Sequence, residues 1–109
     1  MGIQNISTLE EFTKALKEAG DKLVVVDFTA SWCGPCKNIS PLFKEQADLP
    51  VNANVVFLVV DVDKAADVAE KCGITAMPTF FYYKNGTKVD DLTGADPLQL
   101  VSKLSALRT

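Results

Sequence analysis

The chain contains no histidine. It therefore lacks both the side chain that most often exchanges protons near neutral pH and the commonest nitrogen ligand for zinc. Cysteine is sparse as well, with three residues, at positions 33, 36 and 72. There is no surplus of positive charge: 11 lysines and arginines stand against 14 acids, for a formal net charge of −3. That balance leaves no electrostatic footprint for nucleic acid or an anionic membrane. No run approaches the roughly 20 apolar residues that a membrane span needs. The segment from Met1 to Phe12 has no basic stretch leading into an apolar one, so no secretory signal is expected. Three cysteines without such a signal point to a reducing compartment, the cytosol by default, where a close cysteine pair is catalytic rather than structural. Repeats, linkers and low-complexity segments are also lacking, so 109 residues at 48% hydrophobic composition read as one domain, residues 1–109, around a single core.

The densest information lies between Leu23 and Lys37, LVVVDFTASWCGPCK. Leu23 to Val26 and Phe28 form a near-continuous apolar run, the pattern of a strand covered on both faces. The run leads into Trp32-Cys33-Gly34-Pro35-Cys36, where a strand hands over to the first turn of a helix. A helix N-terminus presents unpaired N–H groups and the positive end of a dipole, so a thiolate placed there is favoured over the thiol. Pro35 suits a first helical turn, with its fixed φ and no N–H to leave unpaired. Two intervening residues let the sulfurs meet as a disulfide with little backbone movement.

Two blander readings compete with a redox pair. A structural staple gains little from so small a ring, roughly 2 kcal/mol on loop entropy. A zinc site wants four ligands, whereas this chain offers no histidine and only Cys72 as a further thiol. The redox reading is the stronger. Cys33, first in the turn, is expected to be the more exposed nucleophile, with Cys36 a turn deeper. Lys37 reads as a solvated helix residue, and Cys72 as a packed thiol at a helix end or, alternatively, a surface thiol open to modification.

Asp27 interrupts the apolar strand. A carboxylate among apolar neighbours is costly when charged and unpaired, so its pKa is expected to rise and the group to serve as a proton carrier. The structural alternative puts Asp27 at the strand's end, bonding a turn N–H.

Along the rest of the chain, Ile3–Ile6 reads as a short strand. Ser7 with Glu10 fits a capping box ahead of a helix carrying Leu9, Phe12, Leu16 and Ala19, stopped by Gly20. The helix opening near Cys33 runs toward Ala47, with Pro41 expected to bend it. Leu49–Asn54 is a loop broken by Pro50 and Asn52, and Val55–Val60 a second buried strand. Asp63 is the expected cap of a short helix containing Val68 and Ala69, ended by Cys72-Gly73. Thr79–Tyr83 and Lys88–Leu92 form a hairpin about Asn85-Gly86. Asp96 and Pro97 open a last helix with Leu98, Val101, Leu104 and Leu107 on its apolar face. The order βαβαβαββα implies an α/β fold, a mixed sheet between helix layers.

The WCGPC motif, the Asp27-Phe28 strand, Met77-Pro78-Thr79, Lys84-Asn85-Gly86 and Gly94 stand in an order that resembles the thioredoxin family over essentially the whole chain. The resemblance implies the thioredoxin fold and a protein-disulfide reductase that works as a monomer, bound to no cofactor or metal. It implies electrons supplied from NADPH by thioredoxin reductase, and disulfide-containing proteins as targets. It further implies that Asp27 takes the proton of Cys36, and that Pro78 is cis beside the cysteine pair. Trp32, Gly34, Pro35, Ile74, Ala76, Met77, Pro78, Gly94 and Ala95 would form the surface on which a substrate segment lands. Some members carry a lysine beside the buried acid on the next strand; here that position is read as Phe57. An oxidase or isomerase is disfavoured by the missing histidine between the cysteines, and a non-catalytic binding module remains as a reading from a different class.

Overall fold

The computed structural model describes residues 2–108. Five strands, β1 (Ile3–Ile6), β2 (Val24–Thr29), β3 (Val56–Asp61), β4 (Thr79–Lys84) and β5 (Thr87–Thr93), alternate with four helices. The helices are α1 (Leu9–Ala19), α2 (Gly34–Asp48), α3 (Ala66–Cys72) and α4 (Pro97–Leu107), and a 3-10 turn spans Pro50–Asn52. The sheet order is β1-β3-β2-β4-β5. β3 runs parallel to β1 and β2, and β4 is antiparallel to β2 and β5. This is the expected α/β order with a mixed sheet.

Why β2 and β3 read as unbroken apolar runs is visible in the layers. Val24, Val26 and Phe28 pack on one face with Phe12, Leu58, Val60, Val68 and Phe81. Val25 packs on the other with Ile39, Phe43, Phe57, Phe80 and Leu100. Alternate residues feed opposite cores, so a central strand has no polar face to show. At the hairpin, Asn85 and Gly86 both take positive φ, 52° and 76°, as a type I′ turn requires.

Four expectations need correction. The first helix is capped by Thr8, not Ser7: its hydroxyl accepts the Glu11 N–H at 3.1 Å, while the Glu11 carboxylate accepts the Ser7 N–H at 2.7 Å. Tandem Ser-Thr and Glu-Glu allow either frame, and the frame that begins at Leu9 is the one adopted. Asp63 does not cap α3, whose N-terminal flank is Ala65 without a side-chain cap. Leu98 is 81% exposed, and α4 is instead anchored by Leu100 and Leu104, a spacing of four that keeps one face against α2's side of the sheet. Asn52 is not merely a loop breaker. It is buried, gives its amide to the Gln46 carbonyl at 2.8 Å and accepts from Arg108 at 3.1 Å, tying the end of α2 to the end of α4. α2 itself continues through Pro41 without interruption.

Candidate active site

The redox pair is set by the junction of β2 with α2. Beyond Thr29 the chain turns on a hydrogen bond from the Cys33 N–H to the Ala30 carbonyl, at 3.2 Å. Cys33 then becomes the N-cap of α2 in extended conformation, and its Sγ accepts the backbone N–H of Cys36 at 3.1 Å. A sulfur occupies the place where helices usually hold a serine or aspartate oxygen, the end that favours negative charge. Cys33 and Cys36 are joined as a disulfide, their Cα atoms 5.3 Å apart. Both are buried, 5% and 3% exposed, so exposure does not separate them as the sequence led one to expect. Position does, because only Cys33 has its sulfur at the cap. Around them pack Ala30, Val62 and Met77.

Trp32, ahead of the pair, is 65% exposed. Its indole N–H is nevertheless held, donating to Asp63 Oδ2 at 2.8 Å. Asp63 is itself placed by a tight turn in which Asp61 Oδ1 accepts the N–H groups of Asp63 and Lys64. The Met77–Pro78 peptide bond is cis. The Pro78 carbonyl accepts the Gly94 N–H at 2.9 Å, and Thr79 Oγ1 donates to the Ala76 carbonyl at 2.6 Å. Met77 meets the cysteine pair directly, and Gly94 is bonded to the loop that Met77 and Pro78 form. Gly34, Pro35, Ala76 and Ala95 are exposed. Ile74 packs instead with Cys72 against the core on the α1 and α3 side.

Asp27 lies inside β2, not at its end, and is 3% exposed. Its Oδ1 has no hydrogen-bond partner among the described residues. Burial alone pushes its pKa up to about 7. In the parallel ladder Asp27 stands opposite Val59, while Phe57 stands opposite Val25. The neighbouring position on β3 is thus Val59, and the reading of Phe57 was two residues out of register. Asp27 and Val59 line a cavity of about 470 Å³ together with Thr29, Ser40, Lys44 and Asp48.

Comparison with known proteins agrees with this geometry. The thioredoxin family model matches residues 4–106. The chain is 53% identical to thioredoxin of Ictalurus punctatus over 103 residues, covering 94% of this chain and 96% of that one. Among solved structures, thioredoxin of Malassezia sympodialis superposes with a TM-score of 0.92 at 43% identity, covering 100% of this chain and 96% of the other. Fasciola hepatica thioredoxin gives 0.91 at 38% identity, covering 95% and 98%. The chain belongs to the thioredoxin family.

As a thioredoxin-family protein with its cysteine pair at disulfide distance, it is a thiol–disulfide oxidoreductase acting on protein disulfides. Thioredoxin chemistry is carried by the two sulfurs and needs no prosthetic group. Among the described residues, no three His, Cys, Asp or Glu side chains gather as metal ligands, and no helix is long and apolar enough to cross a membrane. Cys72 is a free, half-buried thiol 3.8 Å from the Tyr83 hydroxyl, and burial raises its pKa, the opposite of activation. Sequence reasoning missed Asp63 as the partner of Trp32. The Asp61–Asp63 pair after a buried strand was its one visible sign, and that sign reads equally well as a helix cap.

Proposed function

We propose that the chain, as one domain spanning residues 1–109, reduces disulfides of target proteins in the cytosol, working as a monomer. Cys33 is the nucleophile: its thiolate attacks a target disulfide, forms a mixed disulfide and expels one target thiolate. Cys36 is the resolving cysteine. It gives its proton to Asp27 and attacks Cys33 Sγ, which breaks the bond to the target and releases it as a dithiol once its thiolate is protonated. The product is the Cys33–Cys36 disulfide, and thioredoxin reductase returns it to the dithiol with electrons from NADPH. The target segment lies over Trp32, Gly34 and Pro35 against Met77, Pro78, Gly94 and Ala95. The backbone of Met77 pairs with it as an added extended segment. Ala76 and Ile74 contribute at the periphery.

One observation carries the assignment of roles: the sulfur of Cys33, and not that of Cys36, is the one that caps α2 and takes a helix N–H. Negative charge on the Cys33 sulfur is stabilised there, so Cys33 is the thiol more readily ionised and the better placed to attack. The test is turnover of purified protein with NADPH, thioredoxin reductase and a disulfide-bonded protein substrate. Oxidation of NADPH that requires all three components is expected. No consumption beyond the reductase alone would contradict the proposal.

A further inference from the structure

The cavity beside Asp27 has a wall that the redox step described above does not use. On α2, Ser40, Lys44 and Asp48 recur every fourth residue, and all three line the cavity. Cys36 stands four residues before Ser40, so the stripe that begins at the resolving cysteine continues down this wall. Opposite stand Asp27 and Thr29 of β2 and Val59 of β3, and Ile3 and Asn5 of β1 close the side. Phe80 of β4 flanks Asp27 across the antiparallel ladder. The charged groups that share the cavity's lining with Asp27 are Lys44 and Asp48, both from α2. Asp61 of β3, on the same face of the sheet but opposite Thr29, is outside that lining and accepts the Asp63 and Lys64 N–H groups. Lys44 has no ion-pair partner among the described residues. Asp27 Oδ1 is a buried oxygen with no hydrogen-bond partner among the described residues.

We propose that Lys44 is a positioning residue for the proton step: from the wall of the cavity its ammonium favours the ionised carboxylate of Asp27 and so sets the pH at which Asp27 can accept the proton of Cys36. Asp48, four residues on, acts in the opposite sense. The β3 neighbour Val59 supplies no charge, so the tuning comes across the cavity from the helix that carries the cysteines. This inference rests on Asp27 being the proton carrier.

The test follows the Asp27 carboxyl carbon by NMR in the oxidised protein as pH is varied, in wild type, Lys44→Gln, Lys44→Arg and Asp48→Asn. Removing one positive charge across a partly wet cavity is expected to raise the Asp27 midpoint by roughly half a pH unit at low salt. The shift should shrink as salt is added. Lys44→Arg should keep the wild-type midpoint, and Asp48→Asn should lower it. The acidic limb of the rate of mixed-disulfide resolution should move with the midpoint in each variant. A Lys44→Gln midpoint within roughly 0.1 of wild type, or an equal shift in Lys44→Arg, overturns the proposal. Asp27→Asn separates the two readings. If its resolution rate keeps the wild-type pH profile, the proton-carrier role fails and this inference falls with it. If it loses the profile while Lys44→Gln leaves the midpoint in place, only the role of Lys44 is lost.

Discussion

Trp32 and Asp63, 31 positions apart in the chain, are joined by a 2.8 Å hydrogen bond from the indole N–H to a carboxylate oxygen. That bond links the turn after β2 to the turn after β3 and holds an exposed aromatic ring beside the cysteine pair. Because Trp32 is the chain's one tryptophan, indole fluorescence comes from this ring alone. Asp63→Ala should make the ring more accessible to a soluble quencher and weaken apparent affinity for protein substrates several-fold. The cost in stability should be small, about 1 kcal/mol or less, since the bond is solvent-exposed. Unchanged quenching would show that Asp63 does not hold the ring.

Cys36→Ser should stop the exchange halfway. A target disulfide attacked by Cys33 then has no resolving thiol, and the mixed disulfide accumulates. Peptide mapping of the trapped complex should place the target on Cys33. An adduct on Cys72, or on Cys36 in the Cys33→Ser protein at a comparable rate, would reverse or dissolve the assigned roles.

Asp27 gives a prediction whose sign depends on pH. The folded protein keeps the Asp27 proton between the ordinary value of 3.8 and about 7, where the unfolded chain has already lost it. With more protons bound in the folded state, this group's contribution to stability falls as pH rises through that window. Above it the penalty is on the order of 4 kcal/mol, at about 1.4 kcal/mol per pH unit. Asp27→Asn should therefore be more stable than wild type at pH 8 by a few kcal/mol, and the gap should close near pH 3.5. The same variant should resolve mixed disulfides on the order of 10-fold more slowly or worse. Denaturant unfolding at the two pH values and single-turnover kinetics check the two halves independently. Equal turnover between pH 6 and 8 would remove Asp27 from the mechanism.

Asn52→Ala tests a contact far from the sulfurs. It strips the Gln46 carbonyl and Arg108 of a partner at a buried site, and a loss of about 1–3 kcal/mol is expected. Disulfide turnover at 25 °C should be unaffected. A stability change within measurement error would mean that water replaces the amide.

Much of the fold and the redox pair could be read along the chain because the signals are contiguous. The apolar runs of β2 and β3, the Asn85-Gly86 turn and the Asp96-Pro97 start each state their structure within a few residues. What escaped depends on rotation and register. Leu98 and Leu100 are both apolar and two apart, and only the docking of α4 chooses Leu100 for the core. Thr8 and Ser7 are equivalent as caps until the helix frame is set. Val59 faces Asp27 through a ladder register that neither strand's composition specifies. Asp63 finds Trp32, and Lys44 shares a cavity with Asp27, only once the sheet has brought β1, β2, β3 and α2 together. Local chemistry marked the cysteines and the buried acid, whereas Asp63 and Val59 reach them from a distant stretch of chain.

The most direct measurement is the pH dependence of Cys33 alkylation in the reduced protein, read by mass spectrometry of the Cys33 peptide. If the helix N-terminus holds Cys33 as a thiolate, half-maximal reactivity should fall well below the value for free cysteine, about 8.5. A midpoint at or above that of free cysteine would contradict the account.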